Sequence, residues 1–185
     1  MPNAMNVSTG KPKVAGAVFR APTGSTLPTT AAAQLDAAFK ELGYVSEDGV
    51  TNTNSPETTN VRAWGGSVVL VTQDEKPDTW QLTLIESLNP EVLKTVYGDA
   101  HVTVDQQTSS ITVEATADQL PEAAYVIDMI MKGGAMRRVV IPNGSLSDLG
   151  EIVYRDNEAI GYNITITALP DTSGVTHYEY TTPGT

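Results

Sequence analysis

The stretch TWQLTLIES, Thr79 to Ser87, decides the fold class. Trp80, Leu82 and Leu84 alternate with Thr79, Gln81 and Thr83, and a two-residue period gives one apolar and one polar face only in an extended strand. Immediately upstream, SVVLVTQ (residues 67–73) predicts a second strand, and the polar tip Asp74-Glu75-Lys76-Pro77 joins the two as a hairpin. Val61 to Trp64 predicts a third strand, turning at Gly65-Gly66. Downstream, Asn89-Pro90 opens a short helix: Asn89 is the N-cap, Pro90 needs no N–H at the first helical position, and Glu91 faces the positive helix end. Val92, Leu93, Val96 and Tyr97 form its apolar side, and Gly98 stops it.

The same signals run outward in both directions. Residues 101–105 and 111–115 predict strands around Gln106-Gln107-Thr108-Ser109, and residues 125–131 and 136–141 flank Gly133-Gly134 as a hairpin. Pro142-Asn143-Gly144 reads as a turn, residues 151–155 and 159–168 as strands around Asp156-Asn157, and residues 177–180 as a last strand. Toward the N-terminus, residues 14–20 (VAGAVFR) predict a strand closed by Ala21-Pro22-Thr23-Gly24. Thr30 as N-cap, Leu35, Ala38, Phe39 and Leu42 at helical spacing and Gly43 as C-cap predict another helix. Residues 44–60 (YVSEDGVTNTNSPETTN) read as a long polar loop, which in a compact domain is either functional or disordered. The whole is mainly β: one domain over residues 1–185, a β-sandwich or partial barrel with one or two short flanking helices, an N-terminal arm at 1–12 and a C-terminal arm at 172–185.

Composition limits the chemistry. The 185 residues carry 11 Lys plus Arg against 22 Asp plus Glu, a net charge of −11, with only 18% of residues charged. Scarce cations rather than acidic tracts produce the imbalance, and a surface of this sign repels phosphate backbones and anionic membranes. No cysteine is present, which removes disulfides, thiolate zinc sites and a thiol nucleophile. The absence of a long apolar run or a basic-then-apolar leader predicts a protein made and kept in a cytoplasm, with an exported protein lacking a cleavable signal or a virus particle component as the alternatives. Two histidines, His101 and His177, stand far apart.

Motifs for catalysis are missing: there is no phosphate-binding glycine loop, no zinc-protease helix and no nucleophile elbow. Glu47-Asp48-Gly49 lacks the ligand alternation of a calcium loop and reads as a turn. Asp74, Glu75 and Asp78 could gather a cation, although a solvated tip that resists edge pairing is the simpler reading. Asp99 and His101 could be cast as orienter and base, but no motif places a nucleophile beside them. Met129, Met131 and Met136 read as core packing at the Gly133 hairpin. Lys132, Arg137 and Arg138 concentrate basic charge there, either as a solvated hairpin end or as a patch that meets acidic groups on a neighbouring copy.

Three segments together carry a resemblance: LDAAFKELGYVSEDGVT from Leu35 to Thr51, AWGG from Ala63 to Gly66, and LIESLNPEVLKTVYGD from Leu84 to Asp99. In this order they resemble the major tail protein, or tail tube protein, of long non-contractile-tailed bacteriophages. The resemblance implies a tail-tube-type β-sandwich whose sheets join between subunits into a ring-shaped inner β-barrel. It also implies hexameric rings stacked as a tube, a tape measure protein, tail terminator and tail tip proteins as partners, and DNA only in transit without tight binding. Location in the virion, assembly in the bacterial host cytoplasm, and no cofactor, metal or catalytic residue follow from the same likeness.

On that reading the polar segments become contact surfaces that order on docking. Glu47, Asp48, Asn54 and Glu57, with Lys132, Arg137 and Arg138, are the expected contacts between rings and subunits. Thr79, Gln81 and Thr83, with Asp128, are the expected channel-facing residues, because a barrel strand shows one face to the core and the other to water. Two rival readings stand beside it: a type VI secretion-like tube protein, and a β-sandwich that binds a receptor or carbohydrate. The latter favours exposed aromatic clusters, whereas aromatics are 6% and both Trp residues read as packed.

Overall fold

A computed structural model describes residues 2–13 and 17–184; residues 14–16 of the first predicted strand lie outside it. Thirteen strands are described: β1 (Gly10–Pro12), β2 (Val18–Pro22), β3 (Lys40–Glu41), β4 (Val45–Asn54), β5 (Glu57–Arg62), β6 (Val68–Glu75), β7 (Asp78–Leu84), β8 (Val102–Val104), β9 (Ile111–Val113), β10 (Ala123–Met131), β11 (Met136–Leu149), β12 (Tyr162–Leu169) and β13 (Tyr178–Thr182). Nine form one antiparallel sheet in the order β3-β2-β10-β11-β12-β7-β4, with β1 also on β10 and β13 also on β11. The hairpins β5–β6 and β8–β9 stand apart from it. The fold is thus mainly β, of the sandwich type and without a closed barrel.

The alternation read at Thr79 to Ser87 fixes which way the sheet faces. Trp80, Leu82 and Leu84 of β7 enter one core with Val18, Tyr125, Ile127, Val139, Ile141, Tyr162, Ile164 and Ile166. Three strands lie between β2 and β7 in the sheet order, yet the two share this core, so the sheet curls around it. The helix α1 (Pro90–Tyr97) packs Val92, Leu93 and Val96 into the same core. It forms as expected: the Asn89 side chain accepts from the Glu91 N–H at 3.0 Å, and Gly98 ends it at φ 97°.

β10 is covered on both faces, which is why its sequence runs apolar without alternation. Ala123, Tyr125 and Ile127 face the main core, while Ala124 and Val126 meet Ala21, Phe39 and Val140 in a second one. Residues 25–39 cover that second face, and Arg138 holds them there. Arg138 lies directly across the β10–β11 ladder from Asp128, and its Nε and Nη2 donate to the two carboxylate oxygens at 2.6 and 2.7 Å. The remaining Nη1 donates to the carbonyls of Thr30 and Ala33 at 3.1 and 2.7 Å.

This capture explains a difference from the sequence expectation. Thr30 to Leu42 is not a helix: the Thr30 and Ala33 carbonyls, which a helix would offer to its own N–H groups, serve the guanidinium. Asp36 bonds the Ala38 N–H at 2.9 Å in a side-chain turn, and Lys40 and Glu41 then pair with β2. Leu35, Ala38 and Phe39, spaced as for a helix, instead pack onto the second core from irregular chain.

Three further expectations change. Residues 44–60 are not a loop but β4 and the start of β5; β4 reads polar because it is the sheet's edge, and only Val45 and Val50 pack inward. Pro142 to Gly144 is not a turn. β11 runs straight through, with Pro142 at a register shift against β10 and Gly144 so close to Tyr125 and Ile166 that a Cβ would meet their side chains at 2.7–2.8 Å. Residues 151–155 form no strand.

Arg138 is 2% exposed and Asp128 4%, so removing one partner strands a buried charge. Arg138→Ala is expected to lower stability by about 3–5 kcal/mol in urea unfolding, whereas Asp128→Leu with Arg138→Met recovers most of that loss. A double variant no more stable than Arg138→Ala contradicts this account.

Candidate assembly site

The longest feature outside the core grows from β4 and β7. Their ladder ends at Asn54 opposite Asp78, and β5 and β6 resume it from Glu57 opposite Glu75 to Arg62 opposite Val68. Between the two ladders stand Ser55-Pro56 on one strand and Lys76-Pro77 on the other; proline offers no N–H, so pairing breaks on both sides at one level. Beyond the break the ribbon stands clear of the body. Ala63 to Gly66 close its tip, with the Ala63 N–H on the Ser67 carbonyl at 2.8 Å and both Gly65 and Gly66 at positive φ.

The ribbon is apolar where it is most exposed. Val68, Val69, Leu70 and Val71 are all exposed, on both faces of β6, along with Val61 on β5. Trp64 at the tip is 107% exposed, so the expectation that both Trp residues are packed holds for Trp80 alone. A two-stranded ribbon in water is marginal, and an uninterrupted Val-Val-Leu-Val run normally marks a strand buried on both sides. Among the described residues none covers this run. That run was the signal available in the sequence, and its exposure only the structure supplies.

The root of the ribbon is fastened to the C-terminal segment. Asp78, 1% exposed, accepts from Asn52 Nδ2 at 2.8 Å and Thr176 Oγ1 at 2.6 Å, and pairs with His177 Nδ1. His177 meets the Trp80 ring edge-on, and β13 continues from it along β11. Burial pushes the Asp78 carboxyl up, but the hydrogen bonds from Thr176, His177 and Asn52 outweigh burial and hold it below the usual carboxylate range. Residues 176–182 of the C-terminal segment are thereby docked on the sheet.

The polar face of the curled sheet is continuous over β7 and β12 and carries no cation there; its nearest charge is the exposed Asp148 of β11, opposite Thr165. Thr79, Gln81 and Thr83 of β7 stand beside Thr167, Thr165 and Asn163 of β12 in register. Gln81 Nε2 donates to Asn163 Oδ1 at 3.0 Å, Asn163 Nδ2 to Thr83 Oγ1 at 3.1 Å, and Thr167 Oγ1 to Ser147 Oγ of β11 at 2.8 Å. Hydroxyls and amides bonded to one another leave few free donors and no cation on this surface.

Other expected site residues scatter. Glu47 and Asp48 are exposed on a bulge of β4, Asn54 ends β4 with its Oδ1 buried and unpartnered, and Glu57 begins β5. Lys132 is exposed at the β10–β11 turn, and Arg137 pairs with Glu179 at 3.5 Å. Asp128 and Arg138 are spent on each other inside the protomer. Asp78 turns inward, away from Asp74, which bonds Thr59 and Thr72. Asp99 takes the Arg20 fork at 2.9 and 3.0 Å, while His101 pairs with Asp118 at 3.2 Å. Among the described residues no three His, Cys, Asp or Glu gather as a metal site, and no helix is long and apolar enough to cross a membrane.

A sequence profile described as phage tail tube protein matches residues 4–182, nearly the whole chain. The chain belongs to the phage tail tube protein family. This agrees with the resemblance carried by residues 35–99 and extends it over strands that show no distinctive text of their own. Comparison with curated proteins finds no match. A tail tube protein is a structural component of the virion that assembles with copies of itself and other tail proteins, and the exposed ribbon is a surface suited to that.

The root of the ribbon gives this tail tube protein a testable acid response. A carboxyl held low in the fold contributes stability above its unfolded value of about 3.9, and loses it as pH falls through the lower folded value. Asp78→Asn is expected to lower the urea midpoint at pH 7 and to flatten its decline below about pH 4. An unchanged acid limb contradicts the coupling.

Proposed function

We propose that this protein polymerises as stacked hexameric rings into the tail tube, the conduit through which the genome leaves the virion for the host. The observation that carries the reading is the β5–β6 ribbon, whose apolar residues on both faces have no cover within one copy. Exposed apolar area of this kind is a liability for a monomer and a driving force for assembly, at about 25 cal/mol per Å² removed from water. Glu47, Asp48, Asn54, Glu57, Lys132 and Arg137 lie around the ribbon root, the β4 bulge and the Gly133 turn, and in this proposal they set register between copies. The tape measure, terminator and tip proteins are the proposed further partners, in a tail assembled in the host cytoplasm.

Thr79, Gln81 and Thr83, with Asn163, Thr165 and Thr167, form the proposed channel lining. A duplex sliding past it meets no Lys or Arg, releases no counterions and gains no adhesive contact. The net charge of −11 acts in the same direction. Lysines introduced here would supply the missing phosphate contacts.

Replacing residues 57–75 by a short turn is expected to leave a folded monomer that forms no tubes by negative-stain microscopy; normal tubes would overturn the proposal. Gln81→Lys with Thr165→Lys is expected to leave tubes intact and slow genome ejection. Ejection at the unaltered rate would remove the channel assignment while leaving the tube reading in place.

A further inference from the structure

We propose that the groove between β1 and β4 of one copy receives the tip of the β5–β6 ribbon of a second copy, with Trp64 as the inserted side chain. The inference rests on the self-assembly reading and names the acceptor that reading lacks. The groove of about 800 Å³ lies between β4, at one edge of the curled sheet, and β1, which pairs with the end of β10. Its apolar lining comes from Pro12, Ala17, Val45, Val50, Ile127 and Met129. β4 widens it: Val45 pairs with Leu84 and Val50 with Leu82, so the residues between them bulge out of the ladder and carry Glu47 and Asp48 to the rim.

Size, charge and backbone all fit the ribbon tip. An indole buries up to about 250 Å² and is the largest exposed apolar group on this chain. Between Thr58 and Gln73 the ribbon carries a single charged residue, Arg62, which donates to the Gly66 carbonyl at 2.9 Å and in this pairing faces a rim that carries Glu47 and Asp48 against one cation, Lys11. The outer edge of β4 is unpaired within the protomer, and so are the outer edges of β5 and β6, so strand edges can meet.

The chain's own geometry directs the contact to another copy. β4 runs from the groove at Val45–Val50 to the ribbon root at Asn54, and the ribbon continues onward from there. At about 3.4 Å per residue, six paired positions carry the tip about 20 Å beyond the root. Acceptor and tip thus lie at opposite ends of one long ribbon. A contact between unlike surfaces at opposite ends is heterologous, and repeated along one axis it propagates rather than closes, as stacking requires.

The chain has no cysteine, so introduced thiols report one contact at a time. Ser46→Cys on the groove rim and Ser67→Cys at the tip are made in separate copies, mixed, polymerised and mildly oxidised. Non-reducing electrophoresis is expected to show covalent dimers from the mixture and from neither variant alone. Tubes that carry no such cross-link, or Ser67→Cys copies that cross-link to one another, overturn the groove as acceptor. Failure of the unaltered protein to form tubes at all overturns the self-assembly reading instead. Charge reversal gives an independent readout: Arg62→Glu is expected to suppress polymerisation and Glu47→Lys with Asp48→Lys to restore it, and no restoration counts against the pairing.

Discussion

The buried pair of Asp128 and Arg138 sets the arrangement on which the rest of the protein depends. Each charge is almost fully removed from water, so each must be matched completely: two bonds join them across the β10–β11 ladder, and the third guanidinium nitrogen takes the carbonyls of Thr30 and Ala33. A buried ion pair of this kind adds little net stability over apolar residues of the same size, but it is intolerant of misplacement. It fixes the register of the central strand pair and lays residues 25–39 over the second core in a single position. With both faces of β10 covered, the curl of the remaining strands around the first core follows.

Buried and exposed apolar surface are separated along one continuous ribbon. Up to Asn54 and Asp78 the strands belong to the sheet and are bolted to the C-terminal segment through Thr176 and His177. Past the two prolines the same strands leave the body and expose Val61, Trp64 and the run from Val68 to Val71. The protomer holds the root of the ribbon through these bonds and leaves the apolar residues of its tip exposed. The prolines also limit outward growth of the sheet, since neither can donate to a neighbouring strand at the level of the root.

The acidity of the chain takes on a more specific meaning beside the polar face. Net charge alone says that phosphate is repelled; the structure adds a sheet surface on which Gln81, Asn163, Thr83, Thr167 and Ser147 satisfy one another. Such a surface presents few free donors and no cation, so it offers a polyanion little to hold. Arg137 is partnered by Glu179, while Arg138 is buried.

The sequence by itself determined the class of the fold, α1 with both its caps, the β7 face, the hairpin at Gly133-Gly134 and the family. Each of these rests on a short-range signal: alternation, a capping residue, paired glycines, or text in a fixed order. What only the tertiary structure decided depends on partners distant in the chain. The spacing at Leu35, Ala38 and Phe39 suits a helix until a guanidinium more than a hundred residues away claims its carbonyls. The polar text of β4 suits a loop until the β7 ladder pairs it. Asp128 and Arg138 look like surface charges until the ladder sets them face to face. Val68 to Val71 look like a buried strand, and the structure places them in water, because none of the described residues reaches over them.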